Sequence, residues 1–483
     1  MSLRTAPGRN PFQLERDALD RLDARVQQAL AFARREVGPA FATVTVQLPP
    51  ELDVTAAVLA ARLPTDRFFC LEQPERDGFA LATLGEAASV EASGPDRFSE
   101  AARRSRSLSR RVFVGDPADD PAAPAGSGAA WVGGFAFAAD GGRSPEWSSL
   151  DPVRLTLPEL SLIRHRGEAR LTACVRIDPD DDPQTPLERV RRRLSALAPA
   201  AMPLLDPSPL ERARVAGAAP PAHYEEAVRQ AVERIRAGEL EKVVLAREVR
   251  VHAPGPIDPA PVLGALRDVF PACFCFCVGT PEAAFVGASP ELLVRREGAR
   301  AQTVALAGTA RRSADPAVDD HLGERLRQSP KERQEHQIVA ARIERALEPV
   351  SLWTAVADPP ALVRVQNVQH LATPIRAQLR EPRSALELAG LLHPTPAVGG
   401  EPREAAEPLI PALEGLDRGW YAGAVGWTDL AGDGEFCVAL RCALLRGNVA
   451  HLYAGCGIVR DSLPAEELAE SEVKLEALLP LLA

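Results

Sequence analysis

Residues 436–459 read FCVALRCALLRGNVAHLYAGCGIV. The stretch holds two strand-like apolar runs back to back, FCVALRCALLR (436–446) and VAHLYAGCGIV (449–459). Strands that follow one another this closely pair antiparallel, because a parallel return needs a crossover of a dozen or more residues. The same arrangement recurs upstream, where CFCFCVGT (273–280) is followed at once by AAFVGAS (283–289). Helical patterns stand between the groups of strands, near 317–348, 384–391 and 465–480. Another covers AHYEEAVRQAVERIRAGE (222–239), where Tyr224, Val228, Val232 and Ile235 recur at helical spacing and Gly238 is a natural cap. Runs of strands with helices between the runs, and no regular βαβ alternation or fixed-period repeat, predict a large α+β architecture of mostly antiparallel sheets.

The first half of the chain is less distinctive. FATVTVQLP (41–49), RFFCLEQP (67–74) and RLTACVRID (170–178) read as short strands, and 13–36 and 187–197 as helices. Proline and alanine thicken at 115–128, read as a surface loop, and at 196–222, which divides an N-terminal α/β region (1–215) from a denser C-terminal region (216–483).

The 483 residues carry a net charge of −10 with no basic run or aromatic-interleaved patch, which speaks against nucleic acid as a partner. MSLRTAPGRNPFQLERD (1–17) lacks the apolar core of a signal peptide, and no segment approaches the roughly 18 uninterrupted apolar residues of a membrane span. A cytoplasmic protein is expected. Eight dispersed cysteines form no CxxC pair. In CFCFC (273–277), alternation puts Cys273, Cys275 and Cys277 on one face of a strand and Phe274 and Phe276 on the other. That spacing fits a packed strand of reduced thiols better than a zinc site, whose ligands come from turns.

Of 56 basic residues only three, Lys242, Lys331 and Lys474, are lysine. Lys242 enters the apolar run VVLA (243–246) and shares a face with Val244 and Ala246. Burial disfavours an ammonium, and a lysine, unlike an arginine, can then give up its proton and act as a general base. An edge-strand lysine reaching back to solvent fits the same pattern. Lys331 precedes a helix and suggests no role of its own.

Two helices carry paired acids three residues apart, Glu332 with Glu335, and Glu467 with Glu470, the latter followed by Lys474. Each pair lies on one helical face, and four facing carboxylates suit a hard cation such as Mg²⁺. Spacing alone equally describes two solvated helices with a Glu470–Lys474 ion pair. Glu291 follows Ser-Pro and precedes an apolar run, a setting that can keep a carboxyl protonated for general-acid work. Arg441 lies within an apolar strand and needs an anion, from a bound carboxylate or an internal partner. Gly455 and Gly457 end a strand where a ligand can approach the backbone or the chain can simply bend. Without context, His336 and His370 read as satisfied core histidines.

Taken together and in this order, EKVVLAR, GASPELL, ALAGTARR, KERQEH, VQHLATPI, LHPTPAVGG, WYAGAVGW, FCVALRCALL, YAGCGIV and EELAESEVK resemble the chorismate-utilising enzymes. That superfamily includes isochorismate, salicylate, anthranilate and aminodeoxychorismate synthases. The resemblance runs from about Tyr224 to Leu479; WVGGFAF (131–137) and LPELSL (157–162) match only in style. It implies the chorismate-binding, anthranilate synthase component I-like fold, with two large antiparallel sheets packed together and helices outside. It also implies a monomer and a Mg²⁺ site held directly by Glu335 and Glu470 and through water by Glu332 and Glu467. Carried over in the same way, the cation anchors the ring carboxylate of chorismate. Arg441 and Tyr421 take the enolpyruvyl carboxylate, Gly455, Gly457 and Lys474 add carboxylate contacts, and Thr309 and His370 line the ring. Cys456 departs from the usual alanine between the two glycines.

Lysine at position 242 resembles the water-activating branch, since anthranilate-forming relatives typically carry glutamine there. An LLES-type tryptophan-binding segment is also lacking. The implied reaction adds water at C2 of chorismate with loss of the C4 hydroxyl, giving isochorismate, with Lys242 as base and Glu291 as acid. Salicylate synthase shares these residues and remains the rival enzyme; a non-catalytic metal-binding scaffold is the rival of a different class. Menaquinone and siderophore biosynthesis are equally compatible destinations.

Overall fold

The computed structural model describes residues 10–114, 123–206 and 212–483. Residues 1–9 of the N-terminal segment, and parts of the loops expected at 115–128 and 196–222, lie outside the described residues. Two sheets of thirteen and ten strands organise the rest. Their pairings are antiparallel except for Ala40–Leu48 with Val112–Phe113, as the back-to-back strand runs require. The α+β expectation holds. Both sheets mix strands from before and after residue 215: Phe274–Gly279 pairs with Phe68–Gln73, and Ala424–Asp429 with Ala130–Phe135.

Alternation along Phe274–Gly279 sorts two cores. Phe274, Phe276 and Val278 join Trp131, Phe285 and Phe436 between the sheets. Cys275 and Cys277 face the other side of the thirteen-stranded sheet with Cys273, among Leu22, Val26, Val58 and Leu263 of the covering helices. All eight cysteines are buried and free, as the strand reading anticipated.

Two stretches read as continuous are divided. FCVALRCALLR is two strands, Gly434–Val438 in the ten-stranded sheet and Cys442–Arg446 in the thirteen-stranded one. The chain changes sheets between them, and Arg441 sits at the step with a left-handed φ of 47°, not inside a strand. GASPELLVR does the same in the opposite direction, from Ala284–Ser289 to Leu292–Glu297, with Pro290 and Glu291 at the step. The two steps are bonded to each other: Val438 N–H donates to the Glu291 carbonyl at 3.0 Å and Ala288 N–H to the Arg441 carbonyl at 3.1 Å.

The helix expected over 317–348 is two, Pro316–Gln328 and Pro330–Leu347. Proline at 330 disfavours helical geometry at Ser329, which is extended and caps the second helix by accepting from Glu332 N–H. The last helix stops at Leu475, and a short turn, Leu479–Leu482, follows.

The helix Pro221–Arg236 ends at Gly238, whose φ of 80° permits the bonds Gly238 N–H to Ile235 O and Glu239 N–H to Arg234 O. The chain then enters the strand Lys242–His252. That strand is pinned from behind by a buried pair. Glu414 accepts from Ala246 N–H at 2.7 Å, while Arg418 bonds Glu414 and donates to the Val244 and Val398 carbonyls. Arg418→Met removes the guanidinium and strands the Glu414 carboxylate in the core, so folding stability should fall by about 3 kcal/mol or more. Chemical denaturation of both proteins measures this, and an unchanged midpoint would mean that the pair does not hold the strand.

Candidate active site

The sheet-switching steps open onto a concave pocket walled by both apolar and polar side chains, the general form of small-molecule sites. Ten of the thirteen residues singled out from the sequence line it. Glu291 and Arg441 come from the steps, Thr309 and His370 from paired strands, and Tyr421 from the segment before Ala424–Asp429. Gly455 and Gly457 come from Val449–Ile458, and Glu335, Glu470 and Lys474 from two helices. The remaining three, Lys242, Glu332 and Glu467, sit behind its wall.

Lys242 is fully buried, which excludes the solvent-seeking reading. Its Nζ lies 2.8 Å from Glu335 Oε1, off the direction of an aligned hydrogen bond, so the amine keeps its hydrogen-bonding capacity for another partner. Gly457 makes this contact possible. A Cβ there would stand 2.8 Å from Lys242 Cε and 2.1 Å from Glu335 Oε1.

Glu291 is 4% exposed, and burial pushes its carboxyl up to about 8 against the pull of Lys242, Thr395 and Lys474. It is therefore a protonated acid near neutral pH. Arg441 is buried at the opposite kind of disadvantage. It forms no ion pair among the described residues, Nη1 has no hydrogen-bond partner, and Nη2 donates to His370 Nε2 at 2.8 Å. A guanidinium can only donate, so His370 accepts at Nε2 and carries its proton on Nδ1, 3.2 Å from the Gly308 carbonyl. Burial and Arg441 hold His370 well below the usual imidazole range, hence neutral. The internal partner considered for Arg441 is a histidine that cannot neutralise it, which leaves the guanidinium matched to a carboxylate ligand. Tyr421 stacks on Tyr453 at 5.3 Å beside it. His336 is a core histidine bonded to Thr373 Oγ1 at 2.8 Å.

The four acids converge but are individually tied. Glu335 meets Lys242, Glu470 meets Lys474 at 2.7 Å, and Glu467 meets Lys331 at 2.7 Å. Lys474 also donates to the Gly455 carbonyl at 2.8 Å. Glu332 forms no ion pair with a lysine among the described residues; it accepts Thr309 N–H at 3.0 Å, delivered by a strand irregularity at Gly308, whose φ is 77°. Desolvation, with Glu335 and Glu470 as like charges, pushes the Glu332 carboxyl up to about 7. Burial and Glu470 also raise Glu467, whereas Glu470 is lowered, Lys474 outweighing its burial. Mutual repulsion among hard oxygen donors is what a divalent cation relieves, so the set fits Mg²⁺. Among the described residues the tightest cluster of potential ligand atoms is Glu467, Glu470 and Cys456, all within 4.8 Å. Cys456 does not face the cavity; its Sγ lies 3.3 Å from the Glu467 carbonyl, so the cysteine leaves the backbone of the glycine pair regular, in register with Leu245.

Sequence reasoning gave Lys331 no role, yet it reaches a site acid. The signal was lysine scarcity, since all three lysines of the chain touch this cluster.

A family model described as chorismate binding enzyme matches residues 26–483. The salicylate biosynthesis isochorismate synthase of Pseudomonas aeruginosa is 39% identical over 417 residues, covering 84% of this chain and 83% of the relative. Among solved structures, MenF, the menaquinone-specific isochorismate synthase from Escherichia coli, matches with a TM-score of 0.76 and 29% identity over 95% of this chain and 100% of that one. Anthranilate synthase component I from Streptococcus pneumoniae shares the fold, with a TM-score of 0.60 and 20% identity over 72% of this chain and 80% of that one.

The raised Glu291 carboxyl has a consequence for stability. Its folded value of about 8 exceeds the ordinary 4.5, so its favourable contribution is complete below about 4.5 and lost as pH rises through 8. Glu291→Gln, which cannot ionise, should therefore gain on the wild type between pH 5 and pH 8.5, by on the order of 3 °C in melting temperature. Thermal unfolding at both pH values reads the difference, and a gap independent of pH would show that Glu291 ionises normally.

Proposed function

This chain belongs to the chorismate binding enzyme family, and from that premise we propose that it is an isochorismate synthase acting on chorismate. The observation that carries the reading is the pairing of opposite chemistries at one cavity: buried Lys242 behind Gly457 and a carboxylic acid at Glu291 that burial keeps protonated. Glutamine at position 242 could not take a proton from water; lysine can.

In this reading Arg441, with Tyr421 beside it, binds the enolpyruvyl carboxylate, which supplies the anion that the buried guanidinium lacks among the described residues. Thr309 and neutral His370 border the ring, and the His370–Arg441 bond fixes the guanidinium plane. Glu335 and Glu470 would hold Mg²⁺, with Glu332 and Glu467 behind them, and Lys474 and the Gly455–Gly457 backbone beside them. When bound, the cation supplies positive charge to the ring carboxylate. Lys242 takes a proton from water as the oxygen bonds to C2. The ring double bonds shift, and the C4–O bond breaks. Glu291 gives its proton to the departing hydroxyl, which leaves as water, so one water enters and one leaves.

Every residue named in this mechanism lies in this chain, so the proposed reaction calls on no residue of a second copy. No described helix is long and apolar enough to cross a membrane.

Incubating the purified protein with chorismate and Mg²⁺ and separating the products tests the assignment. Isochorismate alone is expected; salicylate with pyruvate would assign the further elimination, and unchanged chorismate would refute both. Lys242→Gln should reduce turnover by on the order of 10²–10⁴-fold while chorismate still binds in the presence of Mg²⁺. Near-normal turnover in that variant would remove Lys242 as the base. The wild-type kcat should decline as pH rises through about 8, where Glu291 loses the proton it must donate; a rate still climbing at pH 9 would exclude Glu291 as the acid.

A further inference from the structure

Lys331 stands outside both the cavity lining and the catalytic pair, yet its position is costly. It occupies the first turn of the helix Pro330–Leu347, where the helix dipole disfavours a cation. Its side chain is 24% exposed and could extend into water. It turns inward instead, to Glu467 Oε1 at 2.7 Å on the other acid-bearing helix, Pro464–Leu475. Glu467 is 1% exposed. The contact therefore joins a helix packed on the ten-stranded sheet to one packed on the thirteen-stranded sheet, across the cluster of four acids.

We propose that Lys331 is a positioning residue that acts as a built-in counter-ion for this cluster: it holds Glu467 and the two helices together without a divalent cation, and by competing for the same negative charge it sets the affinity with which a cation binds. This rests on the reading that the four acids form a cation site. The groups around the pair are Glu332 and Glu470, which reinforce the attraction for Lys331, and Glu467 itself. Lys242 and Lys474 are engaged by Glu335 and Glu470, so Lys331 is the lysine that answers Glu467. Removing its charge leaves the cluster one unit more negative, which destabilises the cation-free protein and strengthens its hold on a cation.

Binding of Mn²⁺ to the full chain without chorismate, followed by the loss of the free-ion electron paramagnetic resonance signal, measures this directly. Lys331→Gln should bind Mn²⁺ on the order of tenfold more tightly than the wild type. Lys331→Arg, which keeps the charge, should bind about as the wild type does. The cation-free Lys331→Gln protein should melt at a lower temperature and recover most of the loss when Mn²⁺ is added. In Lys331→Gln/Glu467→Gln the gain in affinity should disappear, because the charge that Lys331 answers is gone. Unchanged or weaker binding by a folded Lys331→Gln would overturn the proposal while leaving the cation site standing. Absence of Mn²⁺ binding by the wild type would instead refute the cation site and the proposal with it.

Discussion

The constraint on which the site depends is a pair of hydrogen bonds between two steps of the chain, Val438 N–H to Glu291 O and Ala288 N–H to Arg441 O. Strands Ala284–Ser289 and Cys442–Arg446 pair in one sheet, and their continuations, Leu292–Glu297 and Gly434–Val438, pair in the other. Two neighbouring strands therefore leave one sheet for the other side by side, and their backbones stay bonded through the change. A step between sheets breaks the pleat, so the side chains at the step are released from alternation. Glu291 and Arg441 are those side chains. They reach the cavity because they lie where the layers exchange strands, and the bonded backbones hold them with the rigidity of a sheet rather than of a loop.

Lysine and arginine are used differently around this site. Arginine serves where a permanent charge is wanted: Arg418 inside the core against Glu414, and Arg441 facing a cavity that can receive a carboxylate. Lysine appears where a compact amino group meets a single carboxylate oxygen in a tight space. Under Gly457 the room is set by the absence of one carbon, since a Cβ there would stand 2.8 Å from Lys242 Cε. The scarcity of lysine elsewhere makes this division visible in the amino-acid composition alone.

Much of this was legible in the sequence. Strand runs gave antiparallel sheets, alternation in CFCFC gave the two faces correctly, and the collinear motifs brought ten site residues to one cavity. The sheet changes at 290–291 and 439–441 were not legible. Apolar runs flank both steps closely, and hydrophobic pattern reports burial without saying which sheet does the burying. The helix break at Ser329–Pro330 was signalled by proline, but helical patterns stand on both sides of it and read as one element. Lys331 was overlooked because a helix-start lysine has no local pattern of its own; its partner is 136 residues away.

The buried ionisable groups at this site are poor stabilisers. A lysine without solvent contact, a carboxyl pushed to about 8 and a guanidinium lacking an anionic partner among the described residues each cost folding free energy that apolar residues of similar size would not. The fold meets that cost elsewhere, in the core between the sheets and the core beneath the helices of the thirteen-stranded sheet. This division explains why the site lies at the sheet-switching steps rather than in either core. There the backbone is held by bonds to its neighbour and the side chains contribute little to packing, so residues can be chosen for proton transfer and anion binding. The same division accounts for the lysine–acid pairs, which gather at the site and in neither core.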